Sequence, residues 1–213
     1  MRTLLAALLF VPAVALAESS YPLERAPIEP HDLVSLQAGA RTFVNYCLGC
    51  HGLQYMRYNR LADLGLTEAQ IRDNLMFTAD KIGATMKVAM SAEDGKAWFG
   101  VPPPDLSVIA RARGADWLYT YLRSFYRDDA TASGWNNKVF PNVAMPHALW
   151  KLQAEQGAVQ YDRTVRDLVN FLVYVGEPAA QSREAIGIVV LFVLGVVFVF
   201  AYAMKKAFWK DVR

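Results

Sequence analysis

Cys47-Leu48-Gly49-Cys50-His51 is the stretch from which the rest of this chain can be read. Cys-x-x-Cys followed at once by His is the attachment sequence of a c-type haem. On a helical turn, residues three and four apart share one side. Two thioether bonds from Cys47 and Cys50 then hold the porphyrin edge while the His51 imidazole reaches the iron. A redox dithiol of thioredoxin type calls for a βαβ context, which the flanking pattern does not supply. A zinc site would need His31 or His147 as fourth ligand, at spacings that match no usual zinc pattern. One covalently attached haem c is therefore expected.

Both ends of the chain agree with an exported haem protein. Arg2 forms a short positive n-region, Leu4 to Leu16 is almost wholly apolar, and Ala15-Leu16-Ala17 is a small-x-small site. Residues 1–17 read as a secretory signal peptide, with cleavage expected after Ala17. The run is short for a membrane span and Pro12 interrupts it, so an uncleaved anchor is the lesser reading. Of the chain's cysteines, both lie in the haem motif, which leaves none for a structural disulfide despite an oxidising compartment. From Ala185 to Met204 no residue carries a formal charge, about one bilayer thickness in helical form. Residues 188–200 are apolar around the whole helix circumference, unlike a core helix with one buried stripe. Lys205, Lys206, Lys210 and Arg213 follow, whereas Arg183 and Glu184 roughly cancel on the other side. The positive-inside tendency puts that tail in the cytoplasm, with Tyr202 and Trp209 as interfacial anchors. The expected division is a signal peptide at 1–17, a periplasmic haem domain at 18–183, a transmembrane anchor at 184–205 and a cytoplasmic tail at 206–213. This makes a single-pass protein of a bacterial inner membrane.

Net charge needs that division. The whole chain has 22 basic and 20 acidic residues, formally +2. Setting aside Arg2, Lys205, Lys206, Lys210 and Arg213 leaves 17 of the basic residues; setting aside Asp211 leaves 19 of the acidic ones. The exported part is then about −2, before haem propionates add to it. That balance excludes a basic nucleic-acid binder. It suits a basic soluble partner drawn in by steering.

The exported stretch is long enough for one domain. Pro22, Pro27 and Pro30 mark residues 18–30 as an extended arm. A helical pattern begins at Asp32 and carries Leu33, Leu36, Ala40, Phe43 and Val44 into the haem motif. Thr67 and Gln70 form a capping box for a second helix with Ile71, Leu75 and Met76 as its stripe. A third helix is expected over 116–127, and a fourth from Tyr161 or Asp162 to Val175, stopped by Gly176 and Pro178. Convincing strand alternation is missing, so the domain is mostly α. Gly39, Phe43 and Cys47 recur every four residues, so a second helix could approach closely at Gly39. Leu168 and Phe171 offer it a matching apolar face. The pattern is similar to the crossed terminal helices of class I c-type cytochromes.

Iron held by His51 has one axial position left. Among the seven methionines, Met1 goes with the signal peptide and Met204 lies in the membrane segment. Met56 is too near His51 to reach the opposite haem face, and Met76 belongs to a core stripe. Met86, Met90 and Met145 remain, with His147 or an open position as further alternatives. The stiff segment Phe140-Pro-Asn-Val-Ala-Met145-Pro-His147 favours Met145, because a rigid loop can hold a thioether over the metal. Filled axial positions would leave iron free to exchange an electron and little else, and methionine raises its potential relative to a second histidine. His31 reads as a surface or packing histidine.

Taken together, the residues resemble the cytochrome c1 family, the haem subunits of ubiquinol–cytochrome c reductase (bc1) complexes. The likeness spans nearly all of the mature chain. It is carried by Asn45-Tyr-Cys-Leu-Gly-Cys-His51, Tyr55-Met-Arg-Tyr-Asn-Arg-Leu61, Pro103-Pro-Asp-Leu-Ser107 with Arg111-Ala-Arg113, the Met145 loop, Glu177-Pro178 and Lys205-Lys206-Ala-Phe-Trp209. The resemblance implies haem attachment at Cys47 and Cys50, His51 and Met145 as axial ligands, and Arg113 against a haem propionate. A guanidinium suits that carboxylate, although Arg111 and Arg113 also read as a solvated basic pair. It further implies one electron taken from the Rieske iron–sulfur protein and passed to a soluble cytochrome c. Cytochrome b would be a partner and hold the quinone site, in a dimeric complex. Trp117 stands where relatives can carry tyrosine, and residues 81–100 depart from the family pattern. Two rivals remain: a free-standing membrane-tethered cytochrome feeding a terminal oxidase, and a haem sensor or peroxidase with open iron.

Overall fold

A computed structural model describes residues 21–211. The expected signal peptide lies outside the described residues. The central feature is a helix crossing. Helix α1 (Leu33–Tyr46) starts where Asp32 caps the backbone N–H groups of Val34 and Ser35. It packs most extensively on helix α6 (Trp150–Gly176). Leu36, Ala40 and Phe43 on one side meet Leu168, Phe171 and Leu172 on the other, all buried. Gly39 is the contact point, since a Cβ built there would lie 2.0 Å from the Asp167 carbonyl oxygen and 2.7 Å from Phe171 Cβ. The Phe43 and Phe171 rings sit 6.0 Å apart. The periodicity of Gly39 and Phe43 had pointed to this packing.

Between these helices the chain makes short elements. Strand β1 (Leu53–Arg57) leads into a 3-10 turn (Tyr58–Leu64), then α2 (Glu68–Asn74) with its Thr67–Gln70 capping box. β2 (Thr85–Met86) pairs antiparallel with β1. Helices α3 (Ala92–Phe99), α4 (Ile109–Arg113) and α5 (Ala115–Arg123) follow. Antiparallel strands β3 (Phe125–Arg127) and β4 (Trp135–Asn137) close the sequence before α6. Among the described residues the architecture is mostly α, with two small two-stranded sheets.

Two helix boundaries depart from the sequence reading. The helix expected over 116–127 stops at Arg123. The Ser124 hydroxyl bonds back to the Thr120 carbonyl, and the Ser124 carbonyl accepts from Lys138 N–H, so the chain turns into β3. Phe125 and Tyr126 fit a strand as well as a helix, which is why periodicity carried the helix too far. The helix expected from Tyr161 instead begins at Trp150, interrupted at Gly157, whose φ of 69° breaks the helical path. The arm at 21–30 is extended, as its prolines require, and it is stitched down. Glu24 N–H donates to Thr120 Oγ1, Ala26 N–H to Asp116 Oδ1, and Asn170 Nδ2 to the Glu29 carbonyl.

After Gly176 a brief joint leads to helix α7 (Ala180–Phe208). Within it Ser182–Phe208 is long and apolar enough to cross a membrane, with none of its most apolar window buried. The protein is membrane-anchored through this helix. Glu177 in the joint receives Arg111 from α4, at 3.7 Å, and Arg183 from α7.

Candidate haem site

The haem motif forms the turn that ends α1. The Cys47 carbonyl accepts from both Cys50 N–H (3.0 Å) and His51 N–H (2.7 Å), so one tight turn holds all three residues. Neither cysteine is in a disulfide. Burial, and the neighbouring Cys50, push the Cys47 thiol up to about 12, and burial raises Cys50 as well. This environment disfavours the thiolate that a redox dithiol needs.

His51 is buried, and its Nδ1–H donates to the Pro104 carbonyl at 2.7 Å. This bond fixes the ring and leaves Nε2 as the free donor atom. Backing of this kind orients metal-bound imidazoles and raises their basicity. Burial lowers the tendency of His51 to protonate, against smaller opposing effects of the Pro104 bond and Asp105. The neutral, ligating form is thus favoured.

The Pro103-Pro-Asp-Leu-Ser107 segment holds Pro104 in place by zipping onto the chain just after the motif. Leu106 N–H donates to the Gly52 carbonyl, and Tyr55 N–H to Ser107 Oγ. Asp105 bridges the two segments, accepting from Gln54 N–H at 2.8 Å and Ser107 N–H at 2.9 Å. Replacing Asp105 by alanine should therefore cost about 1–2 kcal/mol, the range for charge-assisted bonds at a partly exposed carboxylate. Thermal unfolding of Asp105→Ala against the parent protein checks this; an unchanged midpoint would mean the zipper stands without it.

The candidate methionine, Met145, is held by α5 and the loop after β4. The Tyr121 hydroxyl donates to Met145 Sδ at 3.4 Å. The Tyr121 ring stacks on Trp117 (4.7 Å) and meets Phe125 edge-on (5.1 Å). Burial pushes its phenol well above the usual tyrosine range. Two asparagines shape the loop. Fully buried Asn137 donates to the Tyr121 carbonyl and accepts from Val139 N–H and Phe140 N–H. Asn136 Oδ1 accepts from Asn137 N–H and Asn142 N–H, and its amide donates to Asp128. Asn142 takes φ of 60°, a turn conformation that asparagine tolerates.

The remaining candidates separate clearly. Met56 and Met86 are buried in the β1–β2 core, and Met90 packs beside Gly95 on α3. His147 is boxed by Phe125 (4.9 Å, parallel), Trp135 and Tyr161, with Nε2 engaged by Gln153. That is a packing role. Arg111 turns to Glu177, while the exposed Arg113 lies over Trp117 (5.1 Å) and Phe140 (5.9 Å) at the head of the Met145 loop. Two cysteines on one turn, a backed imidazole with an available Nε2, and a partly buried thioether in a built loop are residues that suit a covalently bound haem. Sequence reasoning missed Pro104, Asp105, Asn136 and Asn137 as the supports of this site.

Comparison with known proteins adds the family. A model described as the Cytochrome C1 family matches residues 24–212. The chain is 48% identical over its full length to a protein named ammonia monooxygenase gamma subunit from Nitrosomonas europaea, covering 98% of that protein. It is 47% identical to cytochrome c1 of Allochromatium vinosum, covering both chains completely. Cytochrome c1 of Rhodospirillum rubrum is 30% identical, over 86% of this chain and 84% of that one.

Proposed function

The chain belongs to the cytochrome c1 family, and we propose that it is the electron-transferring haem subunit of a ubiquinol–cytochrome c reductase. Haem c, which proteins of this family carry covalently, supplies one-electron exchange when bound. Cys47 and Cys50 would tether it, His51 Nε2 and Met145 Sδ would ligate its iron, and Arg113 would pair with a propionate. Among the described residues Arg113 has no carboxylate within ion-pair distance, so its guanidinium is available. Ligation by both His51 and Met145 would leave no iron position open to small molecules and would confine the site to electron relay.

The observation that carries this reading is the His51–Pro104 bond, which presents Nε2 from the same turn as both thiols. The Rieske iron–sulfur protein is the proposed donor and a soluble cytochrome c the acceptor. Cytochrome b stands beside this chain in a dimeric complex and holds the quinone site. The haem domain at 18–183 faces the periplasm, the anchor at 184–205 crosses the bacterial inner membrane, and residues 206–213 lie in the cytoplasm. The basic tail and the mildly acidic domain support that orientation.

Gentle detergent extraction tests the assignment. The haem-bearing chain should be recovered with a b-type cytochrome and an iron–sulfur protein, and ubiquinol should reduce it. A chain recovered alone would point to a free-standing carrier. Recovery with an ammonia monooxygenase, the enzyme named for the Nitrosomonas relative, would move it to that complex. Rapid carbon monoxide binding by the reduced form would reveal an open axial position and overturn the Met145 assignment.

A further inference from the structure

We infer that the Tyr121 hydroxyl sets the reduction potential of the site by donating a hydrogen bond to the thioether sulfur of Met145. The inference rests on the proposed role of Met145 as axial ligand and adds a residue that acts through it. A thioether sulfur has two lone pairs. If one goes to iron, the second remains to accept the O–H at 3.4 Å. A proton directed at that lone pair draws electron density from the sulfur and weakens its donation to the metal. Ferric iron depends on that donation more than ferrous iron does, so the bond favours the reduced state and raises the potential.

Donor and acceptor are held independently of one another, then tied by one side chain. Tyr121 is buried and clasped between Trp117 and Phe125, so its ring has little freedom to turn the hydroxyl away. Asn137 bonds the Tyr121 backbone carbonyl with its amide and the Met145 loop, at Val139 and Phe140, with its carbonyl. The O–H···S distance is thereby set by packed secondary structure rather than by the mobility of a methionine. Tyr121 is a positioning residue with an electronic effect, and its hydroxyl has no other hydrogen-bond partner among the described residues.

Tyr121→Phe keeps both ring contacts and removes only the hydroxyl. In the haem-loaded, detergent-extracted protein it should keep the methionine-to-iron charge-transfer band of the oxidised form. Its reduction equilibrium constant should fall about three- to tenfold, or about 30–60 mV at about 59 mV per decade for one electron. Tyr161→Phe is the control, since that buried hydroxyl in the same aromatic cluster donates to the Leu122 carbonyl instead. It should leave the potential unmoved. An unshifted potential in Tyr121→Phe, or an equal fall in Tyr161→Phe, overturns the inference while the ligand assignment stands. Met145→Leu separates the two: loss of the charge-transfer band upholds the ligand, whereas its survival removes the ligand assignment and this inference with it. Proton NMR of the reduced wild-type protein gives a check without mutation. A slowly exchanging Tyr121 hydroxyl proton close to the Met145 methyl is expected, and a freely exchanging one would refute the bond.

Discussion

Replacing Gly39 by alanine is expected to destabilise the haem domain by about 2 kcal/mol net. The added Cβ would stand 2.0 Å from the Asp167 carbonyl oxygen, far inside contact distance, and neither that backbone carbonyl nor Phe171 Cβ at 2.7 Å can swing aside. Overpacking of a well-filled core typically costs 1–3 kcal/mol, and the upper end applies where no side chain can swing aside. Alanine is the better helix former by about 1 kcal/mol, which offsets part of that loss. For a domain of this size the melting midpoint should fall by about 4–8 °C. Valine at the same position should be worse, since it adds bulk without alanine's helix preference. Calorimetry of the haem-loaded protein decides the matter. An alanine variant as stable as the parent would mean that α1 and α6 can slide apart freely.

The second large effect is expected at Asn137. Asn137→Ala removes three hydrogen bonds from a fully buried side chain and strands the Val139 and Phe140 N–H groups. The buried Val139 N–H left without a partner costs about 1–3 kcal/mol and each of the other two lost bonds about 0.5–1.5, so a total of about 3–4 kcal/mol is expected. The effect should be uneven across the molecule. The proposed haem attachment at Cys47 and Cys50, and the His51–Pro104 bond, lie far from this loop along the chain. On heating, the methionine-to-iron band of Asn137→Ala should disappear well before helical circular dichroism does. Coincident loss of the two signals would show that the loop is held by something other than Asn137.

The sequence was most informative where structure is periodic or local. The helix crossing could be read because Gly39, Phe43 and Cys47 recur at one spacing and Leu168 and Phe171 answer them from α6. The Thr67–Gln70 box was legible because both partners lie within one turn. The haem turn is likewise a five-residue matter. By contrast, the groups that steady the two axial candidates come from loops, where polar residues follow no period. Pro104 meets His51 across 53 positions of chain, and Asp105 meets Gln54 across 51. Asn136 and Asn137 look like ordinary turn residues until the loop they organise is seen. The early end of α5 was hidden for a related reason: Phe125 and Tyr126 satisfy helix and strand patterns equally, and the pairing with Trp135–Asn137 decides between them.

The joint between α6 and α7 has a consequence for how the haem domain stands above the bilayer. Glu177 there is shared by Arg111 of the domain and Arg183 of the anchor, and both guanidinium groups are largely open to solvent. Exposed ion contacts of this kind are worth little and fade as electrolyte rises. The ionic contacts at this joint should therefore restrain the domain on its anchor only weakly, and less so as salt is added.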